Sequence, residues 1–292
     1  MNIAAYDFAS DPIFGQFRPW TGPVKAGFDV NFVGQLTDVA FNSGWADEHR
    51  TKDRAQTWPP YPPLQSETFE WELLLSSIID ARDRFTMIEA GAGYGRWLIS
   101  AVCAIRLRRP KLSFSLMGVE AEPTHFQWMR KHFRDNGVDP ADHRLIYGAV
   151  DAKDGQSIFM FGHDPTVFYG AYIPGPARLA DGVGNNAPHK VPAYSITSLL
   201  ETFERVDLMD FDIQGSEEDA IPAGIDAMTR KVKRVFVETH GSGEHAAVYH
   251  AFGKYKWKCL HNYDFQSDAM TPYGMVKFLG EGVQCWINPH IS

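Results

Sequence analysis

The sequence predicts an α/β chain, a doubly wound and mostly parallel sheet behind an irregular N-terminal cap. Three observations carry that reading. From Phe85 onward, short apolar runs alternate with helical segments, the pattern of parallel βαβ units. The first run ends in a glycine-rich turn, and the next ends in an acid, Glu120. The stretch before Ser66 follows neither period: its aromatics are scattered, and Trp58-Pro-Pro-Tyr-Pro-Pro63 favours extended polyproline geometry over helix. Residues 1–65 therefore read as an ordered cap, and 66–292 as the domain it wraps.

The elements follow in order. Ser66 is a candidate N-cap for a helix over 66–83, with Glu67, Glu70 and Glu72 at its positive end and Phe69, Leu73, Leu74, Ile78 and Ile79 at helical spacing. Residues 85–89 read as a strand, 96–107 as an apolar helix and 114–120 as a second strand. A helix over 123–136 has Pro123 in its first turn and Asn136-Gly137 as its stop. Further strands fall at 145–150, 157–161, 206–213 and 232–238, with helices near 196–203, 216–223 and 244–252; Ser216 with Asp219 reads as the cap of the second. Segments 256–261, 273–279 and 283–287 are expected to close the sheet, partly antiparallel. Between the strand at 157–161 and the helix near 196–203, residues 163–192 are rich in Pro and Gly and carry Phe168, Tyr169 and Tyr172, so they read as a long loop and a candidate substrate lid.

Composition narrows the function. The chain has 292 residues, 44% of them apolar and 22% charged, which excludes global disorder and suits one large domain with an appendage. No apolar run approaches the roughly 20 residues of a membrane span. Net charge is −8, and no run of Lys/Arg extends beyond the short cluster Arg106, Arg108, Arg109 and Lys111, which sits at an expected helix end, where cations favour the dipole. Neither a nucleic-acid nor a membrane partner is expected. Cys103, Cys259 and Cys285 lack metal-ligand spacing and the N-terminus lacks an apolar signal region, so a reducing, cytoplasmic setting is expected. HExxH, CxxC, P-loop and GxSxG motifs are missing from the sequence.

The chemistry concentrates in Phe85-Thr-Met-Ile-Glu-Ala-Gly-Ala-Gly-Tyr-Gly-Arg-Trp97. Gly91, Gly93 and Gly95 allow a sharp turn and the close approach of a ligand. Glu120, 29 residues after Gly91, is placed to accept hydrogen bonds from the hydroxyls of a ribose. Nicotinamide and flavin domains need GxGxxG, but the sixth position here is Arg96, and Glu89 would repel a pyrophosphate while suiting a cationic amino-acid cofactor. S-adenosylmethionine is such a cofactor. A nicotinamide-dependent oxidoreductase and a non-catalytic S-adenosylmethionine-binding protein are the alternatives.

Residues 85–240 resemble the FkbM-type S-adenosylmethionine-dependent methyltransferases, through Ile88-Glu-Ala-Gly-Ala-Gly-Tyr-Gly95, Val119-Glu-Ala-Glu-Pro123, Phe211-Asp-Ile-Gln-Gly-Ser-Glu217 and Val237-Glu-Thr-His240. The resemblance implies a seven-stranded sheet of the class I methyltransferase type, with S-adenosyl-L-methionine across its strand ends. It would place Glu89 near the methionine ammonium or carboxylate, with Gly91, Gly93, Tyr94 and Gly95 forming the turn. Glu120 and Ala121 would lie at the ribose, Asp151 at the adenine amino group and Asp212 beside the sulfonium. Gln214 and the bulky Tyr94-Gly-Arg-Trp97 turn depart from the family pattern. The implied reaction is O-methylation of a small-molecule hydroxyl, such as that of a sugar or secondary metabolite.

Asp212, Glu238 and His240 are the candidate catalytic residues. Alternation turns residues 238 and 240 to one side of their strand, where they can converge with Asp212. His240, with an ordinary pKa near 6.5, is the expected proton acceptor, and Asp212 the residue that orients the acceptor. The three offer oxygen and imidazole ligands to a divalent ion, but their spacing follows strand ends rather than a dedicated motif, so the site is expected to work without metal.

Overall fold

The computed structural model describes residues 6–44, 48–174 and 187–291. Its centre is a seven-stranded sheet. In chain order the elements of the main domain are α1 (Glu67–Asp80), β1 (Arg84–Ala90), α2 (Arg96–Arg108), β2 (Ser113–Glu120), α3 (Pro123–Asp135), β3 (Arg144–Tyr147), β4 (Ala149–Asp151), β5 (Gly155–Phe161), β6 (Ala187–Ser195), α4 (Ile196–Leu200), β7 (Val206–Phe211), α5 (Glu217–Lys231), β8 (Val232–Thr239), α6 (Ser242–Lys254), β9 (Lys258–Tyr263), β10 (Ser267–Thr271), β11 (Gly274–Phe278) and β12 (Gly282–Ile287). The sheet order is β9-β12-β8-β7-β1-β2-β3. β12 runs antiparallel to both its neighbours, and the pairings from β8 to β3 are parallel. This is the class I methyltransferase-type α/β sheet, doubly wound and mostly parallel.

Alternation along β1 shows how the two layers form. Phe85 and Met87 point to one face, with α1, α2, α3 and the cap; Ile88 and Ala90 join α4, α5 and α6 on the other. The cap is pinned by Phe8, Phe14, Phe17 and Phe32, all buried in the first of these clusters, each contributing about 1.5–3 kcal/mol by leaving water. Polar stitches fix its register. Gln35 Nε2 donates to the Arg96 carbonyl at 2.9 Å, and Asn136 both donates to the Leu36 carbonyl and accepts from its amide, each at 2.8 Å. The cap carries two short antiparallel ribbons, Gly22–Val24 with Arg54–Thr57 and Phe28–Val30 with Leu36–Asp38.

Several expectations change. Segment 273–279 does not close the main sheet; β11 pairs with β10 in a separate hairpin. The expected strand 145–150 divides at Gly148 into β3, in the main sheet, and β4, which joins a lateral sheet ordered β4-β6-β5. Within the expected 163–192 loop, residues 187–192 belong to β6, 163–174 carry neither helix nor strand, and 175–186 lie outside the described residues. Ser66 and Ser216 stand at the expected N-cap positions, but neither side chain makes a capping hydrogen bond. Ser66 Oγ instead donates to Glu281, and Glu217 accepts from the amides of Ile213 and Gly215 at 2.6 and 2.8 Å. The helix expected over 216–223 runs on through Pro222 to Lys231, giving up one backbone bond near its start. Among the described residues, no helix is long and apolar enough to cross a membrane.

Candidate active site

The site is built where β1, β2, β7 and β8 end. Gly91, Gly93 and Gly95 all adopt positive φ, at 78°, 52° and 72°. At Gly91 there is a second constraint: a Cβ would stand 1.8 Å from the Asp212 carbonyl oxygen. The ends of β1 and β7 are also tied directly, the Asp212 amide donating to the Ala90 carbonyl at 3.0 Å. Glu120 closes the turn from the other side, accepting the Gly93 and Glu122 amides at 2.6 Å each. Glu89 accepts the Trp97 and Leu98 amides at 3.3 and 3.1 Å. It thereby caps α2 through space, since the N-cap position is Gly95, which has no side chain.

These elements surround a cavity of about 470 Å³ with two unlike ends. One end is apolar, lined by Ala121, Ala149, Phe159, Ala171 and Ile173. Its wall includes Tyr169, whose hydroxyl donates to the Phe41 carbonyl and whose ring stacks on His125 at 4.3 Å. His125 in turn hydrogen-bonds the Pro165 carbonyl at 2.9 Å, so this part of the expected lid is held against α3. The other end is acidic. Glu70, Glu89, Asp210, Asp212, Glu238 and Glu281 line it, together with a Glu67–Arg96 pair bonded twice, at 2.6 and 2.7 Å.

Most of the expected site residues meet here. Glu89, Gly91, Gly93, Tyr94, Glu120, Ala121, Asp212 and Glu238 all line the cavity. Gly95 does not; it lets α3 approach, a Cβ there falling 2.9 Å from Met129 Cγ. Asp151 also lies outside the lining, its carboxylate taken by the Ala152 amide at 2.6 Å and by the Ser157 hydroxyl. His240 stands behind the lining and brings the acids together, its Nε2 being 3.5 Å from both Asp212 Oδ1 and Glu238 Oε1. Glu70, Asp210 and Tyr169 were not singled out as site residues from the sequence. Asp210 had a signal, because in Asp210-Phe-Asp212 alternation turns both acids to one face.

Crowding of carboxyls sets the electrostatics. Burial pushes Glu120 up to about 8 and Asp210 up to about 7. Burial and then the Asp212 charge push Glu238 up to about 8. Burial works against a charged His240, but the Glu238 hydrogen bond and the charges of Asp212 and Glu217 outweigh it and raise the imidazole to about 10. His240 is thus an imidazolium near neutral pH, the form that donates a proton rather than accepts one. Asp212, Glu238 and His240 have ligand atoms within 4.8 Å of one another, as do Glu217, His240 and Glu244; to bind a metal in either group His240 would first have to lose that proton.

These shifts fix the sign of a pH effect on stability. A carboxyl raised in the folded state is progressively penalised as pH rises from about 4.5 to about 8, the interval spanned by Glu120 and Glu238. The raised His240 contributes stability that is complete below about 6.5 and lost as pH rises through about 10. Both act in one direction. Without ligand, the chain is expected to melt at a higher temperature at pH 6 than at pH 8.5; a melting series that is flat or rising over that interval contradicts the assignment.

No family model matches the chain. A protein of Jannaschia sp. (strain CCS1), provisionally named a methyltransferase, is 26% identical over 174 residues, 59% of this chain and 61% of the relative's own length. Among solved structures, a precorrin-6Y C5,15-methyltransferase from Geobacter metallireducens GS-15 is 11% identical with a TM-score of 0.38, over 77% of this chain and 89% of that one. The methyltransferase FkbM from Methylobacillus flagellatus KT is 10% identical with a TM-score of 0.42, over 70% of this chain and 45% of that one. A structure provisionally titled an RNA methyltransferase, from Pyrococcus horikoshii, is 8% identical with a TM-score of 0.41, over 76% and 84%.

Proposed function

We propose that this chain is an S-adenosylmethionine-dependent methyltransferase that methylates a hydroxyl of a small molecule, such as a sugar or secondary metabolite. One observation carries the reading: a single cavity is lined by an apolar cluster, by the glycine turn with the Glu120 carboxyl, and by a group of acidic side chains. A base suits the first and ribose hydroxyls the second. Each Glu120 oxygen holds one amide and keeps a further lone pair. The acidic end suits a cationic amino acid and opposes the pyrophosphate of a nicotinamide cofactor. An Asp210 oxygen buried there without a hydrogen-bond partner also fits a cationic ligand. Bound there, the cofactor would supply an electrophilic methyl group on a sulfonium.

Glu238 is the base in this reading. It lines the cavity, and its pKa of about 8 lies near working pH, where a carboxylate can take the acceptor's hydroxyl proton. Asp212 orients the acceptor. The His240 imidazolium holds the two acids together and supplies positive charge without a metal. An anionic acceptor meets repulsion: among the described residues that line the cavity Arg96 is the only Lys or Arg, and it is committed to Glu67. A polyphosphate acceptor meets a chain of net charge −8 as well.

Calorimetry with S-adenosylhomocysteine tests the reading. Glu120→Ala is expected to weaken binding at least about tenfold, the scale of one charge-assisted hydrogen bond. Binding of NADH in place of S-adenosylhomocysteine overturns it in favour of a dehydrogenase. Wild-type cofactor affinity without transfer to any hydroxyl acceptor would leave only a binding protein.

A further inference from the structure

Below the glycine turn, the acidic end of the cavity is floored by Glu70 from α1 and Asp210 from β7. Both are nearly sealed from solvent, at 5% and 3% exposed, yet both line the cavity. Burial and then the neighbouring Asp210 push the Glu70 carboxyl well above its ordinary range. Asp210 Oδ2 has no hydrogen-bond partner among the described residues. A buried, unpaired carboxylate oxygen is costly, so one that faces a cavity marks where a ligand's donor completes the structure.

The surroundings define that donor. Glu89 is the cross-strand partner of Asp210, and each of its oxygens already accepts an α2 amide, whereas Asp210 Oδ2 accepts none. Arg96 is bonded twice to Glu67. Asp212 and Glu238 add negative charge. The missing partner is therefore a small cation with hydrogen-bond donors.

Resting on the cofactor reading above, we infer that Glu70 and Asp210 form the counter-charge that grips the α-ammonium of the cofactor's methionine tail. Glu89, which the resemblance would place near the methionine ammonium or carboxylate, is in this inference the cap that holds α2 and the glycine turn in shape. The floor thus discriminates adenosyl ligands that carry an amino-acid tail from those that do not.

The test is a cycle of calorimetric titrations with the full chain. Its ligands are S-adenosylhomocysteine, the analogue lacking the α-amino group, and 5′-methylthioadenosine, which lacks the whole tail. Wild type is expected to favour S-adenosylhomocysteine over the deaminated analogue by at least about tenfold, the scale of one charge-assisted hydrogen bond. In Asp210→Asn that preference should collapse while 5′-methylthioadenosine affinity stays unchanged. Glu70→Gln should reproduce the result, and substitutes for Asp210→Asn if the latter does not fold. Equal wild-type affinity for the first two ligands, or an undiminished preference in both variants, overturns the inference and leaves the cofactor reading standing. If wild type binds none of the three, the cofactor reading fails and the inference with it.

Discussion

Gly91→Ala is expected to be the most damaging single-methyl substitution in the chain. The new Cβ would stand 1.8 Å from the Asp212 carbonyl oxygen and 2.7 Å from its carbon, both backbone atoms that no rotamer change can move. Gly91 also sits at φ 78°, where a side chain adds strain. Relief requires separating the ends of β1 and β7, which breaks the Asp212–Ala90 bond and shifts Asp212 itself. The expected cost is at least about 3 kcal/mol, or roughly 6 °C of melting temperature, with loss of S-adenosylhomocysteine binding. Gly253→Ala is the control, because its methyl enters open space on α6 and should leave melting nearly unchanged. A Gly91→Ala variant that melts and binds like wild type would show that the two strand ends are not in contact.

Glu238→Gln is expected to lower kcat by about 10²–10⁴-fold with cofactor affinity nearly unchanged, since a positioned base contributes on that scale. The pH profile carries the finer test. Activity should fall as pH drops through about 8, where Glu238 takes up its proton, and fall again above about 10, where His240 loses its charge. In His240→Ala the acid limb should move to higher pH, because the imidazolium that favours ionised Glu238 has gone. A purely structural histidine would lower the melting temperature without moving that limb. If Glu238→Gln instead keeps near-normal turnover while His240→Ala loses 10²-fold or more, the imidazole is the base.

The central parallel strands were legible largely because they are buried on both faces and read as mostly apolar runs. Every residue of Val206–Phe211 is buried, Asp207 and Asp210 included. The turn after β1 was legible from its glycines, and the meeting of Asp212, Glu238 and His240 from strand alternation. What escaped depends on partners far along the chain. β6 was read as loop because Pro188 and Pro192 argue against a strand, yet it lies between β4 and β5 in the lateral sheet. Segment 273–279 has strand character, but nothing local says that β10 rather than the main sheet is its partner. Ser66 and Ser216 hold the N-cap positions, but the Ser66 hydroxyl goes to Glu281 and the amides before α5 go to Glu217. The sequence placed Glu70 in the first turn of α1 and gave no hint that it would face Asp210. The place of His240 at the end of β8 was legible, but its raised pKa was not, because that answers to carboxyl groups whose convergence is a tertiary fact.

The lateral sheet has one consequence for how such a chain can change. Ser195, where β6 ends, lies in parallel register beside Asp151, where β4 ends, so the excursion between them leaves and returns at neighbouring points. Adjacent strands stand about 4.8 Å apart, a gap that a very short connection could span. No strand of the main sheet would change neighbours if the excursion were shortened, lengthened or exchanged. It behaves as a graft. Because this graft brings Phe159, Tyr169, Ala171 and Ile173 to the cavity, the shape of one wall can be rewritten while the acidic floor and the glycine turn stay as they are.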